Sequence, residues 1–167
     1  MNKITFENVV LRMMDTEAVM TDKKYIVKDE DIIDEIKQLD TLEGSDRDGR
    51  TLLINAAIYG RKKVLEYLLS EGIDVHKVDN QKFSALHSAV IGGNFDCVKM
   101  LLEAGCNPNQ KNSFGNNALM VCKLNTSKEI FNILIKYGAD PALQNNYGYS
   151  AKDVFAMSEE IMMLLEK

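Results

Sequence analysis

Apolar residues in this chain recur in short blocks of helical spacing, and the blocks themselves return every 33 positions. The clearest block is Phe83-Ser84-Ala85-Leu86-His87-Ser88-Ala89-Val90-Ile91-Gly92-Gly93. Shifted by that period, Thr51-Leu52-Leu53, Ser84-Ala85-Leu86, Asn117-Ala118-Leu119 and Ser150-Ala151 align with one another. Ala56-Ala57 aligns with Ala89-Val90, and Leu68-Leu69 with Leu101-Leu102 and Leu134-Ile135. Glycines mark the same columns. Gly49, Gly115 and Gly148 share one, with Lys82 at the missing step; Gly60 shares another with Gly93, and Gly72 a third with Gly105 and Gly138. Three full copies and part of a fourth predict a stack of similar units, each burying its apolar face against its neighbours.

Each copy predicts two short helices and a turn. Inner helices are expected at 52–59, 85–91 and 118–124, and outer helices at 61–70, 95–104 and 127–137. Gly72, Gly105 and Gly138 fall just past the outer helices, where a left-handed C-cap suits a residue without Cβ. Asp74-Val75, Asn107-Pro108 and Asp140-Pro141 then lead into a hairpin-like loop. Ala56, Ala57 and Ala89 let neighbouring inner helices approach closely, while the paired leucines fill the layer between helices.

Residues 1–45 break the period. Phe6, Val9, Val10, Met13 and Met14 form one apolar stripe of a helix capped by Thr5. Residues 15–28 are polar and aperiodic, as in a loop. A second helix starts at Asp29 or Asp31, with Ile32, Ile33, Ile36 and Leu39 facing inward and its acids where the helix dipole favours them. A stack needs ends that are apolar on one side only, so 1–45 reads as a divergent helical N-terminal cap. At the other end Lys152 and Asp153 replace apolar residues, and Ile161, Met162, Leu164 and Leu165 close the chain. The expected organisation is a cap at 1–45, copies at 46–78, 79–111 and 112–144, and a capping copy at 145–167. With both ends closed, one folded unit and a whole protein are expected.

The run Ser84-Ala85-Leu86-His87-Ser88-Ala89, followed by Gly92-Gly93 and by Val98-Lys99-Met100-Leu101-Leu102-Glu103-Ala104-Gly105-Cys106-Asn107-Pro108-Asn109, resembles the ankyrin repeat, whose signature is T-P-L-H-x-A at this period. The resemblance covers residues 46–167. No copy carries the proline of the signature; Leu52, Ala85, Ala118 and Ala151 stand there. Only the second copy keeps the histidine, and Thr126 replaces the mid-repeat glycine of the third. The resemblance implies an all-α ankyrin-repeat solenoid of stacked helix-turn-helix units with protruding β-hairpin-like loops.

Charge sharpens the picture. The chain has 167 residues and a net charge of −5, with 13 acids against 7 bases in residues 1–48 and 12 against 13 in the remainder. So mild and localised a charge argues against nucleic acid or an anionic membrane as partner. The start has no signal-peptide core and no apolar run approaches 18 residues, so a cytoplasmic protein is expected. Cys97, Cys106 and Cys122 form no C-x-x-C pair and read as structural thiols.

Candidate chemistry is sparse. His76 and His87 are the only histidines, and the resemblance gives His87 a hydrogen bond within the turn. No catalytic triad, Walker loop or metalloprotease motif is present. Asp46-Arg47-Asp48-Gly49 suggests a calcium loop, but Gly44 and Asn55 stand where that loop needs acids. No enzyme, cofactor or metal is expected.

Recognition is the better-supported role. Ankyrin family members bind other proteins through the columns flanking the turn glycine and at the end of the inner helix. Here these hold Arg47, Asp48, Arg50, Ile58 and Tyr59, then Asn80, Gln81, Phe83 and Ile91. The third copy contributes Ser113, Phe114, Asn116, Leu124 and Asn125, and the fourth Asn146, Tyr147 and Tyr149. Four aromatic residues at successive turn tips (Phe83, Phe114, Tyr147 and Tyr149) predict a binding ridge, because aromatic side chains anchor interfaces. Arg47 and Arg50 are placed to meet carboxylates of a partner. The expectation is a monomeric protein-binding module, an adaptor or inhibitor. The alternative is a cytosolic immunity protein neutralising a toxin such as a nuclease, with the acids Asp29, Asp31 and Asp34 imitating nucleic acid. Further rivals are a regulatory subunit of an enzyme, or a homo-oligomer supported by exposed Met13, Met14, Met162 or Met163.

Overall fold

The computed structural model describes residues 4–14, 27–122 and 128–155. Among them are eight helices: α1 (Phe6–Met14), α2 (Asp29–Ile36), α3 (Leu52–Ile58), α4 (Lys62–Ser70), α5 (Ala85–Gly92), α6 (Phe95–Glu103), α7 (Lys128–Lys136) and α8 (Ala151–Phe155). No strand occurs among the described residues; isolated antiparallel bridges, Val78 with Ser84 and Gln144 with Ser150, close two of the hairpins.

The helices stack in two layers. α1 packs on α3 and α3 on α5 in the inner layer, while α2 packs on α4, α4 on α6 and α6 on α7 in the outer one. Ala56, Ala57 and Ala89 are fully buried where the inner helices meet, and Leu65, Leu68 and Leu101 fill the space between layers. The inner helices begin with hydroxyl caps. Thr51 accepts from the Ile54 amide (3.3 Å) and Ser84 from the His87 amide, each satisfying a helix-terminal donor. In the fourth copy Asp153 accepts from both the amide (2.7 Å) and hydroxyl of Ser150. The polar substitution at 153 thus completes a capping box.

The third copy differs from expectation. Residues 118–121 form a turn, closed by Met120 N–H to Asn117 O (3.1 Å) and Cys122 N–H to Leu119 O (3.1 Å), in place of the α-helix expected at 118–124. Asn117 divides its side chain between the Met120 amide (3.1 Å) and the Asp140 carbonyl (3.0 Å), tying this turn to the next loop. Residues 123–127 lie outside the described residues.

The N-terminal helix pair continues both layers. α1 begins with a reciprocal Thr5–Asn8 cap, as expected. At its other end Arg61 donates to the carbonyls of Arg12 (3.3 Å) and Met13 (3.1 Å), and also to Val27 O and Asp29 at the start of α2. Asn94, one period later, donates to Ala57 O (2.9 Å) and Ile58 O (3.1 Å) at the end of α3. The junction residues of the first and second copies therefore satisfy orphan carbonyls of the preceding inner helix. Since α2 and α4 lie 33 residues apart, α1 and α2 occupy the places of one more inner and outer helix.

Candidate functional site

The hairpins share one backbone device. The Asp46 carboxylate accepts from the amides of Asp48 (2.9 Å) and Arg50 (3.0 Å), and Asp79 from those of Gln81 (2.9 Å) and Phe83 (2.8 Å). Asn112 repeats this with Phe114 and Asn116, and Asn145 with Tyr147 and Tyr149. An Asp or Asn side chain that bonds its own following amides builds a turn locally, which explains that column. Successive tips are then joined: Asn80 N–H donates to Asp48 O (3.0 Å), Ser113 N–H to Gln81 O (2.9 Å) and Asn146 N–H to Phe114 O (3.0 Å).

This ladder also accounts for Lys82. Gly49, Gly115 and Gly148 have φ between 78° and 81°, and Lys82 adopts the same left-handed region at 60°. A Cβ at Gly115 would first meet the side-chain oxygen of Asn146, and one at Gly49 that of Asn80. The two asparagines lean back to donate to Ser113 O (2.9 Å) and Arg47 O (3.2 Å). The hairpin after Lys82 carries the short Ser113 at the corresponding position. The side chain is tolerated where the following hairpin has no asparagine.

The expected recognition residues therefore separate by what their side chains already do. Asn80 and Asn146 are engaged in the ladder. Arg50 pairs with Asp48 (3.3 Å) and approaches Asp79 (4.0 Å), so it is less free for a partner than the sequence suggests. Asn116 accepts from the Asn145 amide group (2.9 Å). Ile58, Tyr59 and Ile91 are half-buried. Phe83 is half-buried too, its ring edge-on to His87 (5.7 Å) and to Phe114 (6.5 Å). Arg47, Gln81 and Ser113 are exposed. So are the rings of Phe114 (42%), Tyr147 (69%) and Tyr149 (59%). Leu124 and Asn125 lie outside the described residues.

Leu11 escaped the sequence reading, and Met14, placed on the apolar stripe and also named as a possible oligomer contact, leaves that stripe for solvent. Leu11, off the buried stripe of α1, is exposed, whereas Met13 is buried; Met162 and Met163 lie outside the described residues. Leu11 and Met14 join Val10, Tyr59, Arg47 and Glu7 around an open groove of about 350 Å³ between α1 and the first hairpin. An apolar residue on the polar side of an amphipathic helix was the available signal.

Asp31 stands exposed, whereas three other acids of α2 are engaged within the chain. Asp29 binds Arg61 and caps α4 through the Lys63 amide (3.1 Å), Glu30 pairs with Lys63, and Asp34 with Lys37 (3.3 Å). They are structural anions before they are a surface. His87 is buried. Its Nδ1 accepts from Ser84 N–H (3.3 Å), so the ring proton sits on Nε2 and is donated to Asn116 O (3.1 Å). Burial lowers its pKa, which holds the ring neutral as this bonding requires. Burial likewise pushes the Cys97 thiol up to about 11 and those of Cys106 and Cys122 to about 12, as expected of structural thiols. Among the described residues no group of three His, Cys, Asp or Glu side chains could hold a metal ion. No described helix is long and apolar enough to cross a membrane.

Compared with known families, the chain matches the profile for ankyrin repeats (3 copies) over residues 24–112 and 76–145. The match starts ahead of residue 46, inside the segment read as a cap. No curated protein matches the chain.

Proposed function

The chain belongs to the ankyrin-repeat family, whose repeats generally mediate protein–protein interaction, and from that premise we propose that it is a non-enzymatic inhibitor that occludes a protein partner. The observation that carries this reading is the row formed by Phe114, Tyr147 and Tyr149. These rings stand exposed on hairpins whose turn amides and tip-to-tip bonds are already satisfied. A turn organised before binding holds its aromatic anchors at low ordering cost, so more of their burial appears as affinity.

The test is capture of the native partner on immobilised wild type beside the Phe114→Ala, Tyr147→Ala double variant. Both side chains are exposed, so circular dichroism should show equal helicity. The expected result is one protein captured by wild type, with affinity reduced roughly tenfold or more in the variant. Undiminished capture would rule out the aromatic row as the site.

A further inference from the structure

The groove beside α1 has a chemistry of its own. Leu11 and Met14 lie one turn apart on α1, exposed by 59% and 43%, and Tyr59 faces the same space from the end of α3. Single exposed apolar residues are ordinary, but three around one concavity make a patch that gains by being covered. The groove's volume, about 350 Å³, is at the low end for pockets that hold whole small ligands, and it is open, which suits one or two inserted side chains.

The charges at its edge distinguish among occupants. Asp46 is engaged by Asn55 (3.1 Å) and by its own turn amides, and Asp48 by Arg50. Arg47 on the hairpin wall and Glu7 on the α1 wall are exposed and have no ion-pair partner among the described residues. We propose that this groove receives a large apolar side chain of the protein partner, with a partner carboxylate beside it paired to Arg47. Glu7 sets the direction: the acid lies toward the hairpin and away from α1. The proposal rests on the protein-binding reading above and adds the chemistry of the partner's anchor.

The test uses the full chain and two defined probes, the capped dipeptides acetyl-Phe-Glu-amide and acetyl-Phe-Lys-amide, followed by methyl NMR. The Val10, Leu11 and Met14 methyl signals should shift saturably with both, with several-fold tighter binding of the glutamate probe. Arg47→Glu should reverse that preference, and Leu11→Glu, at an exposed position, should abolish both titrations. No saturable shift at these methyls, or a preference unchanged in Arg47→Glu, would overturn the proposal. The Phe114→Ala, Tyr147→Ala variant should titrate like wild type. Failure of the aromatic row would thus appear in partner capture alone, and failure of the groove in the dipeptide titration alone.

Discussion

The junction between the first and second hairpins is ionic, and the one between the second and third is aromatic. In the first, Arg50 lies against Asp79; in the second, Phe83 stands at the position of Arg50 and the neutral Asn112 at that of Asp79. The third junction joins Asn116 to Asn145 by an amide hydrogen bond. The turn bonds and the tip-to-tip bond are the same throughout. One column requires only an acceptor for two following amides, which Asp and Asn both supply. The facing residue decides between them, because a buried carboxylate needs a cation and an amide does not. Asn112 is 4% exposed, and its amide nitrogen has no hydrogen-bond partner, the one such buried side-chain atom among the described residues.

Breaking this matching at the aromatic junction should have the largest effect. Asn112→Asp places a carboxylate where Phe83 offers no cation and should cost about 2 kcal/mol at neutral pH, read by urea denaturation. Adding Phe83→Arg transplants the ionic junction and should recover at least half of that loss. A neutral Asn112→Asp would show that the facing residue does not govern the column. A smaller effect of opposite sign is expected at Lys82. Lys82→Gly removes a left-handed non-glycine residue and should stabilise the fold by about 1 kcal/mol. Ser113→Asn should then destabilise the wild type but be tolerated in the Lys82→Gly background.

The gentlest test changes only pH. His87, which bonds the second copy to the third hairpin, has its pKa lowered by burial, so the unfolded chain takes up a proton before the folded one does. Its contribution is complete above the unfolded value near 6.5 and declines as pH falls below it. Denaturation midpoints should therefore drop between pH 8 and pH 5.5, and drop less in His87→Asn. The carboxylates of Glu30 and Asp153, whose pKa values are lowered, titrate below that window.

How much of this was legible follows from what repeats. The period and the glycine columns locate most helix boundaries to within one or two residues, since each column has a local cause: a cap, a left-handed turn, a close approach of small side chains. What the sequence concealed is pairing between copies. Arg50 reads as a free cation because Asp79 lies 29 residues away, and Asp29 reads as surface acid because Arg61 and Lys63 reach it only across the stack. Residues 1–45 read as a cap because they break the period, yet Arg61 treats the end of α1 as Asn94 treats the end of α3. The candidate site divides in the same way. Exposed aromatic residues at turn tips could be picked out by residue type, whereas the groove needed α1 and α3 side by side.

The fit between Lys82 and Ser113 bears on how such a chain can change. Its copies look like interchangeable parts, but each is keyed to the one that follows. A third copy moved ahead of the second would set the arginine of the first against a neutral amide. A fourth copy placed after the second would press an asparagine against the lysine turn. Duplication or shuffling of whole units would meet a mismatch at the seam, so new surfaces in this lineage should arise by substitution at the exposed tips, with copy order preserved.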